Sequence, residues 1–280
     1  MPHTKKLLNG SEAKTRAILN QIVALNGAEI FPKQRIADVL EINQSGLSKE
    51  DYSYALKAHF DFVVAESDFE PLFAVEFDGP HHRENSRAAI NDEKKDRICR
   101  HLNFPLLRIN SMFLTKEVRQ FNLLSWLIDL WFTEREFDRL QEAGQIPYDE
   151  PFMYFNIMAM AGERKVSWPY DLSRPLRVLM HEACSKNLIK DCCPSVVVVE
   201  GANKIVSAIA MLRIDDEKAL VGRSECRLYQ FSPISSWELC EELAIIEVGE
   251  KVKAYFEKRL PPIGIEEAQQ EILLVRKLSK

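Results

Sequence analysis

The chain has 280 residues, of which 46% are apolar and 28% are charged, a balance typical of a globular protein with a buried core. Its formal net charge of −5 gives no support to a protein that binds nucleic acid through a broadly basic surface. The acidic excess lies in residues 1–150, which hold 19 basic and 24 acidic residues, and a local basic rim beside these acids stays compatible with the composition.

Neither the hydropathy pattern nor the cysteines indicate a membrane protein or a secreted one. No apolar run reaches the ~18 residues that a transmembrane helix needs, and the first residues lack the apolar core of a signal peptide. The six cysteines form no CxxC pair, which favours buried free thiols over a zinc site or a disulfide framework. We therefore expect a cytoplasmic protein that does not associate with membranes.

The first predicted elements are one helix and two strands. Residues 11–26 carry apolar side chains at helical spacing, with Ser11 as the predicted N-cap and Glu12 on the inward face. After an extended stretch that contains a proline, β-branched and aromatic residues predict strands at 58–65 and 72–78.

A helix, a short strand and a long helix follow, at residues 88–103, 104–109 and 114–141. Lys95 lies on the apolar stripe of the first of these helices, so we expect it to point toward the sheet. The order of helices and strands predicts an α/β sandwich in which helices flank a small mixed sheet.

The chain is predicted to contain two domains. The stretch 143–154, which holds Gly144, Pro147 and Pro151, is the best linker candidate between a domain at 1–142 and a smaller α+β domain at 155–280. In the second domain the segment 204–212 is ambiguous. The other elements predicted there are helices at 173–187, 236–258 and 265–277 and strands at 195–201 and 225–232.

Acidic side chains recur at the ends of the two predicted strands of the first domain. Glu76 and Asp78 lie two residues apart and therefore on one face of their strand, and Asp61 stands between two phenylalanines. If the strands pair, three carboxylates converge, and burying them is costly unless a cation neutralises them. Oxygen ligands of this kind suit Mg²⁺ or Mn²⁺ better than zinc. The alternative is a solvated acidic rim, which such a short motif also fits.

Five segments of the first domain form a set of motifs in a fixed order. They are the helix of Glu12, "FPKQRIADVL" with Gln34, "DFVV" with Asp61, "AVEFDGPHH" with Glu76, Asp78 and His82, and "NDEKKDRICRHLNFPLLRI" with Lys94, Lys95, Asp96 and Arg108. Together these segments resemble the PD-(D/E)XK nuclease superfamily over roughly residues 7–115, and within it they are similar to the Vsr-like branch and its bacterial domain of unknown function 2726.

This resemblance implies a restriction-endonuclease-like fold in which Asp61 and Glu76 bind the metal and Glu12 completes or orients its shell. The usual E-x-K motif of the superfamily has a lysine where this chain has Asp78. The Vsr-like branch has the form E-x-D-G-x-x-H, whose histidine corresponds to His82. That histidine would accept a proton or bind a phosphate, or else be a turn residue at the sheet edge.

The resemblance also implies four supporting residues: Gln34, Lys94, Asp96 and Arg108. The positive charge of the missing lysine would come from Lys95 or from Lys94, although Lys94 also fits a solvated charge run. Gln34 would orient the metal site or satisfy backbone groups at a bend. Arg108 would contact phosphate or form an ion pair with one of the metal-binding carboxylates, Glu76 or Asp61.

Two functions are therefore expected as alternatives. The first is a Mg²⁺- or Mn²⁺-dependent nuclease that hydrolyses phosphodiester bonds in nucleic acid, with DNA preferred, at a site that includes Asp61, Glu76, Asp78, His82 and Lys95. The second is an inactive module that keeps the nuclease fold and binds nucleic acid or a protein partner. The neutral C-terminal region is compatible with a homodimer or with a protein partner.

Overall fold

The computed structural model describes residues 6–79, 86–118, 121–156 and 172–279. The chain forms two compact units. Unit 1 contains Met1–Phe152 and Tyr229–Pro233, and unit 2 contains Met153–Leu228 and Ile234–Lys280. Among the described residues, no helix is both long enough and apolar enough to cross a membrane.

Unit 1 is built around a four-stranded mixed sheet. Its strands lie in the order β1-β2-β3-β4, and all neighbours are antiparallel except β3 and β4, which are parallel. The elements of the unit are α1 (Gly10–Leu25), β1 (Glu29–Pro32), α2 (Ile36–Val39), α3 (Lys49–Ala55), β2 (Phe62–Ala65), β3 (Pro71–Phe77), α4 (Ser86–His101), β4 (Leu106–Ile109), α5 (Ser111–Thr115), β5 (Glu117–Val118), β6 (Phe121–Asn122) and α6 (Leu123–Glu142).

Apolar side chains cover both faces of this sheet. On one face Val63 and Ala74 belong to a buried cluster with Ile98 of α4. On the other face the ring of Phe73 packs edge-on against Trp131 of α6, with 4.6 Å between the ring centroids. Because successive side chains of a strand point to opposite faces, Phe73 and Ala74 attach different helices to the same strand. The sheet is therefore enclosed by helices on both sides.

Two helix starts differ from the sequence prediction because asparagines cap them. The N-cap of α1 is Asn9 and not Ser11, since the Asn9 side chain accepts a hydrogen bond from the backbone of Glu12 at 2.9 Å. The predicted helix at 114–141 is interrupted. Asn122 caps a new helix by accepting from the backbone of Leu124 and Ser125. Between the end of α5 and this cap, β5 pairs antiparallel with β6.

A short segment that is distant in sequence completes unit 1. Gln230 and Leu106 exchange backbone hydrogen bonds of 3.0 and 2.9 Å, so this segment extends the sheet beside β4. The ring of Phe231 stacks on Trp131 at 6.0 Å between centroids, and the hydroxyl of Ser232 donates to the carboxylate of Glu134. The segment thus contributes both hydrogen bonds and apolar contacts to the unit.

Unit 2 contains a second, antiparallel sheet with strand order β10-β9-β8-β7. Two features differ from the sequence prediction: the ambiguous segment at 204–212 is a strand, and the strand predicted at 225–232 begins and ends earlier. The elements of the unit are α7 (Arg174–Ser185), β7 (Ser195–Gly201), β8 (Ile205–Arg213), β9 (Lys218–Arg227), α8 (Ser236–Phe256), β10 (Ile263–Gly264) and α9 (Ile265–Lys277). The predicted α/β architecture is confirmed as a mixed sheet with helices followed by this antiparallel sheet.

The two faces of the second sheet pack against different helices. Gly222 lies so close to α8 that a Cβ atom there would fall 2.5 Å from the backbone nitrogen of Val248. Its neighbour Val221 faces the other way and joins a buried cluster with Ala268 of α9. The absence of a side chain at position 222 therefore sets how closely α8 approaches the sheet.

The prediction that all cysteines are buried free thiols is wrong for three of them. Cys184 and Cys192 are joined by a disulfide, because the turn after α7 brings residues eight apart in sequence together. Cys193 is exposed. The prediction is confirmed for the three buried free cysteines, Cys99, Cys226 and Cys240.

Candidate functional site

Three carboxylates and two lysines from separate segments of unit 1 meet at one end of its sheet. We call these five residues the carboxylate cluster. Glu12 lies in the first turn of α1, Lys33 follows β1, Asp61 precedes β2, Glu76 is near the end of β3, and Lys95 lies in α4. Residues that are up to 83 positions apart in the sequence are therefore in contact through a chain of polar interactions.

Asp61 and Glu76 are held together by the antiparallel pairing of β2 and β3. The backbone nitrogen of Asp61 donates to Oε1 of Glu76 at 3.1 Å. In return, the backbone nitrogen of Phe77 donates to Oδ2 of Asp61 at 2.9 Å. The register that pairs Phe62 with Val75 brings these groups side by side. Each carboxylate therefore accepts a backbone hydrogen bond from the segment that carries the other one.

Lys33 links the first helix to this pair. Its Nζ atom lies 2.7 Å from Oε1 of Glu12 and 2.6 Å from Oδ1 of Asp61. Burial lowers the pKa of Lys33, but the hydrogen bonds and charges of Asp61 and Glu12 outweigh it, so the pKa lies above its ordinary value. The ammonium therefore stays charged and neutralises the two carboxylates together.

Lys95 approaches Glu76 from α4. Its Nζ atom lies 2.7 Å from Oε2 of Glu76 and donates to the carbonyl of His59 at 2.8 Å. The side chains of Lys95 and Glu76 are only 9% and 8% exposed. Burial raises the pKa of Glu76, and the charge of Lys95 opposes this rise. Lys95 points toward the sheet, as its position in the helix predicted.

A second group of charged residues surrounds Arg108 of β4. We call it the Arg108 network. The Arg108 side chain is 1% exposed and lies 2.6 Å from Asp96, 2.9 Å from Asp78 and 3.3 Å from Asp92, measured between guanidinium nitrogen and carboxylate oxygen. Burial lowers the pKa of Arg108, but the charges of Asp78 and Asp96 outweigh it, so the pKa is raised overall. The ion pairs of Arg108 are with these aspartates, and not with Glu76 or Asp61 as the sequence suggested.

The remaining predicted site residues lie outside both groups or outside the described residues. The side-chain amide of Gln34 donates to the carbonyl of Pro32 at 3.0 Å, which is the structural alternative considered for it. Lys94 pairs with Glu50 at 2.7 Å and lies over the ring of Tyr54. His82 lies in 80–85, outside the residues that the structure describes.

Sequence reasoning missed Lys33. It stands in "FPKQ", where no hydrophobic period marks it, and its partner Asp61 is 28 residues away. Its backbone has φ of 56°, in the left-handed region that a non-glycine residue seldom adopts. A sequence signal for such a turn is weak, because the residue after Pro32 is neither Gly, Asn nor Asp.

The carboxylate cluster offers oxygen ligands, but its two lysines already form ion pairs with its three carboxylates. Within 6–79, 86–118, 121–156 and 172–279, no three His, Cys, Asp or Glu side chains are grouped so that they could hold a metal ion. The five residues of the cluster sum to a formal charge of −1, since three carboxylates face two ammonium groups. Glu12 and Asp61 nevertheless direct one oxygen each at a single cationic atom.

Comparison with known proteins identifies one family. A search of curated proteins found no significant match, and a search of solved structures found none either. Residues 4–123 match the family described as "Protein of unknown function (DUF2726)". The predicted resemblance to that family is therefore confirmed over residues 4–123, which include both the carboxylate cluster and the Arg108 network.

Proposed function

We propose that unit 1 is a divalent-metal-dependent nuclease that hydrolyses phosphodiester bonds in nucleic acid, with DNA as the preferred substrate. The observation that carries this proposal is the contact between Asp61, which directly precedes β2, and Glu76 of the adjacent strand β3, with Glu12 of α1 joined to Asp61 through Lys33. These are the three acidic positions that the resemblance to PD-(D/E)XK nucleases assigns to the metal. The four-stranded mixed sheet with helices on both sides is compatible with a restriction-endonuclease-like fold.

The donor set fits a hard divalent cation in kind. Carboxylate oxygens are the ligands that Mg²⁺ and Mn²⁺ prefer, and Glu12 and Asp61 already converge on one positive charge. Asp61 and Glu76 would hold the metal, and Glu12 would complete or orient its shell. When bound, such an ion polarises the phosphoryl group and lowers the pKa of a water ligand.

The lysines of the carboxylate cluster would have different roles. Lys95 is almost fully buried and forms an ion pair with Glu76, so we assign it as a positioning residue. Lys33 has a side chain that is 39% exposed, so its ammonium is the one that a phosphate could reach from solvent. A positive charge beside the phosphoryl oxygens stabilises the charge that develops there during hydrolysis.

The Arg108 network favours a structural role for Asp78. This residue occupies the position of the usual catalytic lysine, and its carboxylate binds the buried guanidinium of Arg108. Asp78 therefore cannot be read as a simple replacement of that lysine. His82, for which the resemblance implies proton transfer or phosphate binding, keeps these two alternatives as part of the proposal.

A second function is favoured by one specific observation. Lys33 and Lys95 neutralise most of the negative charge of the carboxylate cluster by themselves. A cluster that is balanced in this way can stabilise the fold without a metal, as a module that binds nucleic acid or a protein would require. This alternative gives up hydrolysis but keeps the same fold.

The decisive experiment measures cleavage of supercoiled plasmid, linear DNA and RNA by the full chain in Mg²⁺, in Mn²⁺ and in chelator. Asp61→Asn and Glu76→Gln remove one negative charge each from the cluster, and Glu93→Gln removes an exposed one from α4 as a matched control. We expect metal-dependent cleavage by the wild type and by Glu93→Gln, and at least a hundredfold loss in the two cluster variants. Absence of cleavage in every metal would favour the binding module. Cleavage that persists undiminished in both cluster variants would refute the site assignment.

A further inference from the structure

We propose that Lys33 is a built-in, exchangeable cation of the carboxylate cluster, which a divalent metal must displace in order to bind. This inference rests on the proposed function, since it concerns the same metal site. It adds a competitor within the chain itself, and it predicts that the affinity for metal is weakened by that competitor.

The geometry places a positive charge where two ligands converge. Nζ of Lys33 lies 2.7 Å from a Glu12 oxygen and 2.6 Å from an Asp61 oxygen, so one atom bridges two carboxylates from different elements. Both distances are those of short charge-assisted hydrogen bonds. A metal that uses the same two oxygens cannot share them with an ammonium at this position. Binding of metal and the present position of Lys33 therefore exclude each other.

The two lysines of the cluster differ in how easily their ammonium groups can move away from the carboxylates. Lys95 is enclosed: its ammonium donates to the carbonyl of His59 and lies 5.7 Å from the ring centroid of Phe60, and its side chain is 9% exposed. Moving it would leave the buried Glu76 without its cation, which is costly. Lys33, at 39% exposed, can swing into solvent by rotating its flexible side chain. Only Lys33 therefore qualifies as the exchangeable cation.

The backbone keeps the displaced ammonium nearby. The nitrogen of Lys33 donates to the carbonyl of Asp61 at 2.9 Å, so the residue is anchored to Asp61 by its main chain as well as its side chain. Its φ of 56° is a conformation that costs a non-glycine residue energy, which the surrounding contacts must offset. After displacement the side chain would stay tethered at the rim of the site, where it can contact a phosphate.

The first test compares metal affinity between variants. Mn²⁺ and Mg²⁺ are titrated into full-length wild type, Lys33→Met and Lys49→Met by calorimetry, where the exposed Lys49 of α3 controls for the loss of one positive charge. Removing the competitor should tighten binding of Mn²⁺ about tenfold in Lys33→Met, because two partly exposed ion pairs no longer have to break. Lys49→Met should bind as the wild type does.

The second test needs no variant and no activity. The wild type is acylated briefly with acetic anhydride in chelator and in saturating Mn²⁺, and the modification of each lysine is measured by mass spectrometry. Displacement should raise the labelling of Lys33 several-fold in Mn²⁺ while that of Lys49 stays constant, since an ammonium held by two carboxylates is protected from acylation.

The outcomes separate this inference from the proposed function. The exchange is supported if Lys33→Met binds metal more tightly and if metal raises the labelling of Lys33 in the wild type. If the wild type then cleaves no DNA, the exchange stands and the nuclease is argued against. Metal-dependent cleavage with unchanged affinity in Lys33→Met and unchanged labelling of Lys33 overturns the exchange and leaves the nuclease standing. Failure of both Mn²⁺ and Mg²⁺ to bind either protein overturns the exchange and removes the basis of a metal nuclease as well.

Discussion

Replacing Arg108 by methionine removes the guanidinium that binds three aspartates inside unit 1. Arg108 is 1% exposed, and the side chains of Asp78, Asp92 and Asp96 are only 10% to 12% exposed, so water cannot replace the lost charge fully. Removing one partner of a buried ion pair typically costs about 3–5 kcal/mol. Because the aspartates keep some contact with solvent, we take the lower end and expect a loss of about 3 kcal/mol in the free energy of unfolding.

A loss of that size is measurable by urea unfolding followed by circular dichroism at neutral pH. Arg139→Met is the matched control, because Arg139 pairs with Glu136 on α6 with side chains that are 72% and 56% exposed. Such an exposed pair contributes below about 0.5 kcal/mol. In the Arg108→Met background, a second change of Asp96→Asn removes one of the three carboxylates that faced Arg108 and should restore about 1 kcal/mol or more by reducing their mutual repulsion.

The reasoning would be refuted by two results. If Arg108→Met loses less than about 1 kcal/mol, the aspartates do not depend on Arg108 for neutralisation. If Asp96→Asn destabilises the Arg108→Met variant further, repulsion among the remaining carboxylates is not the cause of the loss.

Three further predictions concern other parts of the chain. Burial raises the pKa of Glu134, so the native chain holds this proton more tightly than the unfolded chain does, and the free energy of unfolding should fall as the pH rises through the raised pKa. In urea unfolding between about pH 4 and 8, Glu134→Gln should flatten this pH dependence, and an unchanged pH dependence would contradict the raised pKa of Glu134. In thermal unfolding, Gly222→Ala should destabilise unit 2 by about 2–3 kcal/mol because the new methyl group meets the backbone of α8. The control Gly264→Ala, whose Cβ meets open space, should cost less than about 1 kcal/mol in that assay. In mass spectrometry, iodoacetamide should modify Cys193 alone in the native protein, four thiols after denaturation and all six after reduction, and rapid native labelling of more than one thiol would argue against the buried positions of the others.

Local patterns sufficed for elements whose ends carry strong signals. Strand β7 and helix α9 have the predicted bounds, since an apolar run after Pro194 marks the first and the break at "LPPIG" marks the start of the second. The start of α6 was missed because Asn122 was read as an interior residue of one long helix. An N-cap asparagine within a continuous apolar pattern is a short-range signal that the 3.6-residue period conceals.

The carboxylate cluster was only partly accessible from the sequence. Strand alternation suggested that Asp61 and Glu76 approach each other, and helical periodicity placed Lys95 against the sheet. The positions of Lys33 and Arg108 depend on a left-handed turn and on the parallel pairing of β4 with β3, in which Arg108 lies beside Glu76. Such contacts between distant parts of the sequence are set by the tertiary fold, and hydrophobic periodicity does not predict them.

The segment Tyr229–Pro233 makes unit 1 discontinuous in the sequence. A fragment that ends at Phe152 would leave the backbone of Leu106 without its partner Gln230 and would uncover the ring of Trp131, on which Phe231 stacks. Gene rearrangement that transferred the N-terminal region alone would therefore deliver an incomplete domain with an exposed aromatic patch. Inheritance of the two units as one piece is the arrangement that this topology favours.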